Sequence, residues 1–136
     1  MIVLKEDEVS REEDRIRKLV RDLSDSNRIQ FYKRIRDRIK DPDTYATLNY
    51  FFIAGLHHFY LGRFVRGIVH AIVFWAGGVL LFIAPIDSNA FIIGTLSVVG
   101  VTVIEFYALF RSQVIVLDYN NKISAQVLET FEGQEP

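Results

Sequence analysis

Hydrophobic positions along this chain change their spacing twice, and the changes divide it into three regions. Over residues 10–23, SREEDRIRKLVRDL, apolar side chains stand at Ile16, Leu19, Val20 and Leu23. That i, i+3, i+4, i+7 spacing lays them on one stripe of an amphipathic helix. Ser10 with Glu13 forms the capping-box pattern, in which each side chain satisfies an orphan backbone N–H at a helix start. Ser24-Asp25-Ser26 interrupts the pattern and offers a second cap. Phe31, Ile35 and Ile39 then recur every four residues, and Ile29 and Tyr32 widen their stripe. Asp41-Pro42-Asp43 ends this helix, because a proline pushes the residue before it out of helical geometry. Residues 10–40 therefore read as a helical hairpin or a bent helix.

From residue 44 the periodicity gives way to continuous apolar runs. Segment one is Thr44 to Gly62, segment two Gly67 to Ala84 and segment three Asn89 to Phe110. A bilayer core of about 30 Å needs roughly 20 apolar residues at about 1.5 Å each. Segments two and three meet that length. Segment one is richly apolar only as far as Leu56 and then carries His57 and His58, so it crosses, enters and returns, or lies at the interface. After Arg111, SQVIVLDY (112–119) reads as a short extended stretch or a helical continuation. Asn120-Asn121 is a turn signal. Ile123, Val127 and Phe131 in ISAQVLETF then share one face of a short amphipathic helix. The expected fold is all-α: an integral membrane hairpin or bundle of two to three segments (44–62, 67–84, 89–110), with a soluble helical head (1–43) and a soluble tail (111–136).

Charge sharpens this division. Residues 1–43 hold 23 of the 33 charged side chains, whereas 44–110 hold four: Arg63, Arg66, Asp87 and Glu105. The competing reading of the three runs is buried core helices of a soluble protein. So few charges leave too little polar surface to coat a soluble globule. Immediately before segment one stand Arg28, Lys33, Arg34, Arg36, Arg38 and Lys40, opposed only by Asp37. Basic flanks mark the cytoplasmic side, so the head is expected there. Three crossings would place Arg63, Arg66, Arg111 and Lys122 outside. A two-crossing hairpin would keep every basic residue inside, because its outer loop, PIDS, has none. The charge rule favours the second arrangement and the length of segment one the first. The absence of cysteine excludes disulfides, cysteine metal sites and thiol nucleophiles. The N-terminus lacks signal-peptide order, so the first apolar segment is expected to act as its own insertion signal. Neither end carries a lipidation pattern.

The run Gly55-Leu56-His57-His58-Phe59-Tyr60-Leu61-Gly62-Arg63 resembles the signature of the TM-two domain family, a small domain of two transmembrane helices. Its members read Gly-x-His/Asp-Arg-Phe-Tyr-Leu-Gly-Arg/Lys, followed by a glycine and an apolar helix with an acidic residue near its end. Gly67 matches that glycine, Glu105 the acidic position, and Asn120 or Asn121 an asparagine found after the second helix. The resemblance covers about residues 45–121 and departs from the pattern at His58, where the family has arginine. The stretch from Gly67 to Glu105 is also longer than in minimal members. Bacterial members carry charged N-terminal extensions like this one, so the resemblance implies a bacterial inner (cytoplasmic) membrane. It implies architecture more than activity.

Chemistry concentrates at two places. Gly55, His57, His58, Phe59, Tyr60, Gly62 and Arg63 form a corner suited to the membrane–water boundary, where aromatic residues with polar edges gather. Glu105 is the most informative single residue. A carboxylate at a helix centre costs roughly 3 kcal/mol, against about 5 kcal/mol returned by the apolar side chains of segment three. If segments two and three run antiparallel, Glu105 reaches the depth of His70, beneath Arg63 and Arg66. It is expected to pair with His70, His57, His58, Arg63 or Arg66, because ionisable residues at such depth face a partner. His57 and His58 are adjacent, so on a helix they project about 100° apart and do not readily share one ion. His57, His70 and Glu105 remain a conceivable metal or haem ligand set, but no metal or other cofactor is expected.

No phosphate loop, nucleophile elbow or metalloprotease helix is present, and no catalysis is expected. The leading functional reading is a membrane-anchored interaction, scaffold or regulatory protein. The first alternative is a small oligomeric channel or proton-linked transporter using Glu105 and His70, with Thr95, Ser97 and Thr102 as further polar positions. The second is a membrane enzyme or metal site using His57, His70 and Glu105. Glycines 67, 77, 78, 94 and 100 offer close-packing surfaces for a homo-oligomer. The basic run at 28–40 suits anionic lipid, at about 1 kcal/mol per residue near the surface, and the head's apolar stripes suit a protein. Nucleic acid is not expected, since 11 acidic residues oppose 12 basic ones in residues 1–43.

Overall fold

The computed structural model describes residues 4–51 and 55–132, all of whose regular elements are helices. In chain order they are α1 (Glu6–Asp22), α2 (Asp25–Ile35), α3 (Pro42–Phe51), α4 (Leu56–Tyr60), α5 (Phe64–Ile83), α6 (Asn89–Phe110) and α7 (Ser112–Glu132). They form two compact units. One comprises the described residues up to Pro42 together with those from Gln113 onward, and the other is Asp43–Ser112. The division differs from the expected head–membrane–tail order, because the tail joins the head.

In the head unit, α1 starts a turn before the expected capping box. Lys5 is its N-cap, and Glu6, Asp7 and Glu8 occupy the first turn, where carboxylates favour the positive end of the helix dipole. Ser10 lies inside the helix, and Glu13 pairs with Arg17 at 2.5 Å instead of reaching back. Ser24 does cap α2, accepting from the Asn27 N–H at 3.3 Å. Residues 10–40 are thus two helices with a break at Leu23–Ser24. The second ends at Ile35 rather than at Asp41, and Pro42 instead opens α3, a first-turn position where its missing N–H costs nothing.

The expected turn at Asn120-Asn121 is a continuous helix. Both amides work sideways rather than locally. Asn120 Nδ2 donates to the Lys40 carbonyl and Asn120 Oδ1 accepts from the Lys40 N–H, both at 2.8 Å. Asn121 Nδ2 donates to the Val9 carbonyl at 2.9 Å. With the amides satisfied in this way, local turn chemistry loses to the helix. The core joins Ile16 and Val20 of α1, Phe31 and Ile35 of α2, and Val127, Leu128 and Phe131 of α7. Arg34 of α2 stacks 4.8 Å over the Phe131 ring and donates to Thr130 at 2.7 Å. The apolar stripe expected over residues 29–39 is only half used: Phe31 and Ile35 of α2 are buried, while Ile29 is 71 % exposed, Tyr32 57 % and Ile39, beyond the end of α2, 44 %.

In the second unit, α5 and α6 form a hairpin across a loop closed by Ser88, whose Oγ donates to the Pro85 carbonyl and accepts from the Phe91 N–H. These two helices, 20 and 22 residues long, are long and apolar enough to cross a membrane. Among the described residues, segment one forms no helix of that length: α3 ends at Phe51 and α4 starts at Leu56, and residues 52–54 lie outside the described residues. Only 11 % of the apolar window of α5 and 22 % of that of α6 is buried. Core helices of a soluble protein would be mostly covered, so these faces are built for lipid. Trp75, Phe82, Leu96 and Phe110 are among the side chains they present.

The inner faces are small. A Cβ on Gly94 would meet the Gly77 carbonyl at 2.9 Å and Leu80 Cβ at 3.0 Å, and one on Gly77 would meet Ser97 Cβ at 2.8 Å. Glycines 77 and 94 are therefore consumed by the hairpin's own packing, and Gly67 lies under the Phe59 ring. Gly78 and Gly100 face open space.

Candidate functional site

The Gly55–Arg63 run is a single helical turn held between two glycines. Gly55, at φ 92°, is the N-cap of α4. Gly62, at φ 69°, follows its C-cap, and both conformations favour a residue without a Cβ. At the C-terminal end the Arg63 N–H donates to the His58 carbonyl at 2.8 Å and the Gly62 N–H to the Phe59 carbonyl at 2.9 Å. This is the paired Schellman pattern, which satisfies the last carbonyls of the turn. A Cβ on Gly55 would sit 3.3 Å from both the Gly67 carbonyl and His70 Cβ, so the start of α4 lies close against α5. The Phe59 ring covers Gly67 and meets Phe64 edge to face at 5.8 Å.

This geometry aims His57 and His58 at α6. On that helix Gly94, Val101, Glu105 and Ala108 are buried, the i, i+4, i+7 spacing of one face. On α5, Gly67, His70 and Gly77 lie on the facing stripe. Glu105 is 1 % exposed and meets three imidazoles. His70 Nδ1 lies 2.5 Å from Oε1 and His58 Nε2 lies 3.8 Å from the same oxygen. His57 Nε2 stands 2.9 Å from Oε2, within ion-pair range but off the line of a hydrogen bond. The His57 and His58 rings are 4.1 Å apart, and His58 meets His70 edge to face at 4.8 Å. The expected divergence of the adjacent histidines does not keep them apart: it describes Cβ directions, and the side-chain torsions bring both rings back to one carboxylate. Burial pushes the His58 imidazole down to about 4, neighbouring histidines reinforcing the shift, so it is neutral near pH 7.

Among the described residues, Arg63 and Arg66 are not ion-pair partners of Glu105. They line a shallow concavity with Gly62, Phe64 and Val65. Their long side chains lie at the N-terminal edge of α5, while the histidines occupy the space around the carboxylate. Tyr60 is half-buried on the same turn. The transporter positions Thr95 and Ser97 donate their hydroxyls to the carbonyls of Phe91 and Ile93 in their own helix.

Two residues of the site escaped the sequence reading. Tyr45, 1 % exposed, meets His57 edge to face at 4.9 Å, and burial raises the pKa of its phenol above the usual range. Asn49, one turn later on α3, is 2 % exposed and donates through Nδ2 to the Glu105 backbone carbonyl at 2.9 Å. Their i, i+4 spacing in TYATLNYFF was the available signal. A cavity of about 320 Å³ lined by Asn49, Tyr50, Phe51, Glu105, Phe106 and Leu109 reaches the site from one side.

The lipid-facing hairpin and its buried acid define a helical membrane protein. Residues 40–88 match the family model of the TM2 domain, the family that the Gly55–Arg63 run resembles. The match spans α3, α4 and α5 and stops at the loop, short of residue 121. Glu105, Asn120 and Asn121 thus lie outside the matched residues, and their roles stand on geometry alone. No curated protein and no solved structure matches the chain.

Proposed function

We propose that the chain is a membrane-anchored interaction protein, in which a two-span hairpin holds a helical head at one face of the membrane and the head acts by binding rather than by catalysis. The observation that carries this reading is the make-up of the head unit. Segments from before the first span and after the second share one core, through Phe31, Ile35, Val127 and Phe131. A core shared in that way supports both segments lying on the same side, and with it an even number of crossings. Basic residues at 28–40 favour the cytoplasmic face of an inner membrane. A head with its own core also leaves Ile29, Tyr32 and Ile39 exposed beside Arg28, Lys33 and Arg36. Such a mixed apolar and basic face suits an acidic amphipathic protein segment, with anionic lipid as a second contact.

The test uses the full chain in detergent, since residues 1–43 alone would lack α7. Crosslinked partners of the wild type are compared with those of the Ile29→Asp/Tyr32→Asp variant. A defined partner captured by the wild type and lost in the folded variant is the expected result. An unchanged capture set contradicts the reading. Ion flux in liposomes abolished by Glu105→Gln would favour transport instead, the reading supported by the His70–Glu105 contact.

A further inference from the structure

Buried polar atoms without hydrogen-bond partners are rare in folded proteins, and a group of them facing one another calls for a cause. Both ring nitrogens of His57, both of His58, and Oε2 of Glu105 are in that condition. None of these side chains is on the surface: His57 is 0 % exposed, Glu105 1 % and His58 7 %. One carboxylate has acceptor sites for several N–H groups, yet of the three imidazoles only His70 is within hydrogen-bond geometry of it. The ring nitrogens of His57 and His58 are left facing it unpartnered in a site of low dielectric, a costly arrangement.

We propose that His57, His58 and Glu105, with His70 completing the shell, bind one divalent transition-metal ion of the zinc class. One donor atom from each of His57, His58 and Glu105 lies within 4.8 Å of the others. His57 Nε2 lies 2.9 Å from Oε2 and His58 Nε2 3.8 Å from Oε1, close to the spacing of about 3.3 Å between ligand atoms of a tetrahedral ion with bonds near 2.0 Å. Imidazole nitrogens with one carboxylate suit zinc, copper, nickel and iron, whereas magnesium and calcium demand more oxygen. The ion would supply positive charge beside the Glu105 carboxylate. The Asn49 bond to the Glu105 backbone fixes the carboxylate's helix from behind, as outer groups do around metal ligands. The ion would thereby join α4, α5 and α6 at one point.

The experiment uses the full-length protein in detergent, stripped with chelator and titrated with Co²⁺ alone, then challenged with Zn²⁺. The expected result is one Co²⁺ per chain, with the visible absorption of a four-coordinate nitrogen/oxygen site, displaced by Zn²⁺. His57→Ala and His58→Ala should each weaken binding by about tenfold or more, while Trp75→Phe, on the exposed face of α5, should leave it unchanged. Circular dichroism reports whether each stripped variant keeps its helices. For one that does not, His57→Gln or His58→Gln takes its place. A folded wild type that takes up no Co²⁺ overturns the proposal without recourse to any variant. So does a Co²⁺ spectrum that survives in the folded variants, which would locate the ion elsewhere on the surface.

Discussion

At the scale of single residues, Glu105 determines the character of the membrane unit. Its depth was legible in the sequence because antiparallel helices joined by a short loop fix which positions meet, and His70 follows from that arithmetic. The participation of Tyr45 and Asn49 was not legible. They sit in a run whose apolar character hides two polar groups, and only the helix phase of α3 brings them to one face. Removing Glu105 leaves three histidines facing an empty space, and breaking a buried pair from one side costs about 3–5 kcal/mol. Glu105→Ala should therefore lower thermal stability in detergent markedly. Asn49→Ala removes one hydrogen bond from a buried carbonyl, at about 1–3 kcal/mol, and should show a smaller loss in the same thermal scan. Equal stability of both variants and the wild type would mean that the cluster holds nothing together.

At the scale of elements, the two units obey different rules. In the head, helical periodicity alone places Ile16, Val20, Phe31, Ile35, Val127 and Phe131 on apolar faces, and all six are buried. Periodicity could not show that they belong to one core, because pattern gives a face but not its neighbour. The Asn120-Asn121 pair misled for the same reason: its hydrogen bonds run to residues about 80 and 112 positions away. Phe131→Ala should cost about 3–5 kcal/mol, and because its core includes α1 and α2, the loss should appear as earlier protease cleavage between Leu23 and Asn27. Cleavage confined to the C-terminal residues would instead mean that α7 stands alone.

In the hairpin, helix contact depends on backbone approach. Gly94→Leu places a side chain where the Gly77 carbonyl and Leu80 now lie, and should reduce crosslinking between cysteines introduced on the facing sides of α5 and α6. Gly100→Leu, whose Cβ would meet open space, should leave that crosslinking intact.

At the scale of the whole molecule, the membrane assignment was plain from composition, because four charges across residues 44–110 cannot dress a soluble surface. The number of spans was not. Length favoured a crossing for segment one and charge opposed it, and neither argument could see that residues from both ends of the chain build one unit. The native chain contains no cysteine, so single cysteines report sidedness cleanly. Cysteines placed at Ser24, Ser88 and Lys122 and probed with a membrane-impermeant thiol reagent, in right-side-out and inverted vesicles, test the arrangement directly. The expected result is that positions 24 and 122 label from the same side and position 88 from the other. Labelling of 24 and 122 from opposite sides would contradict it.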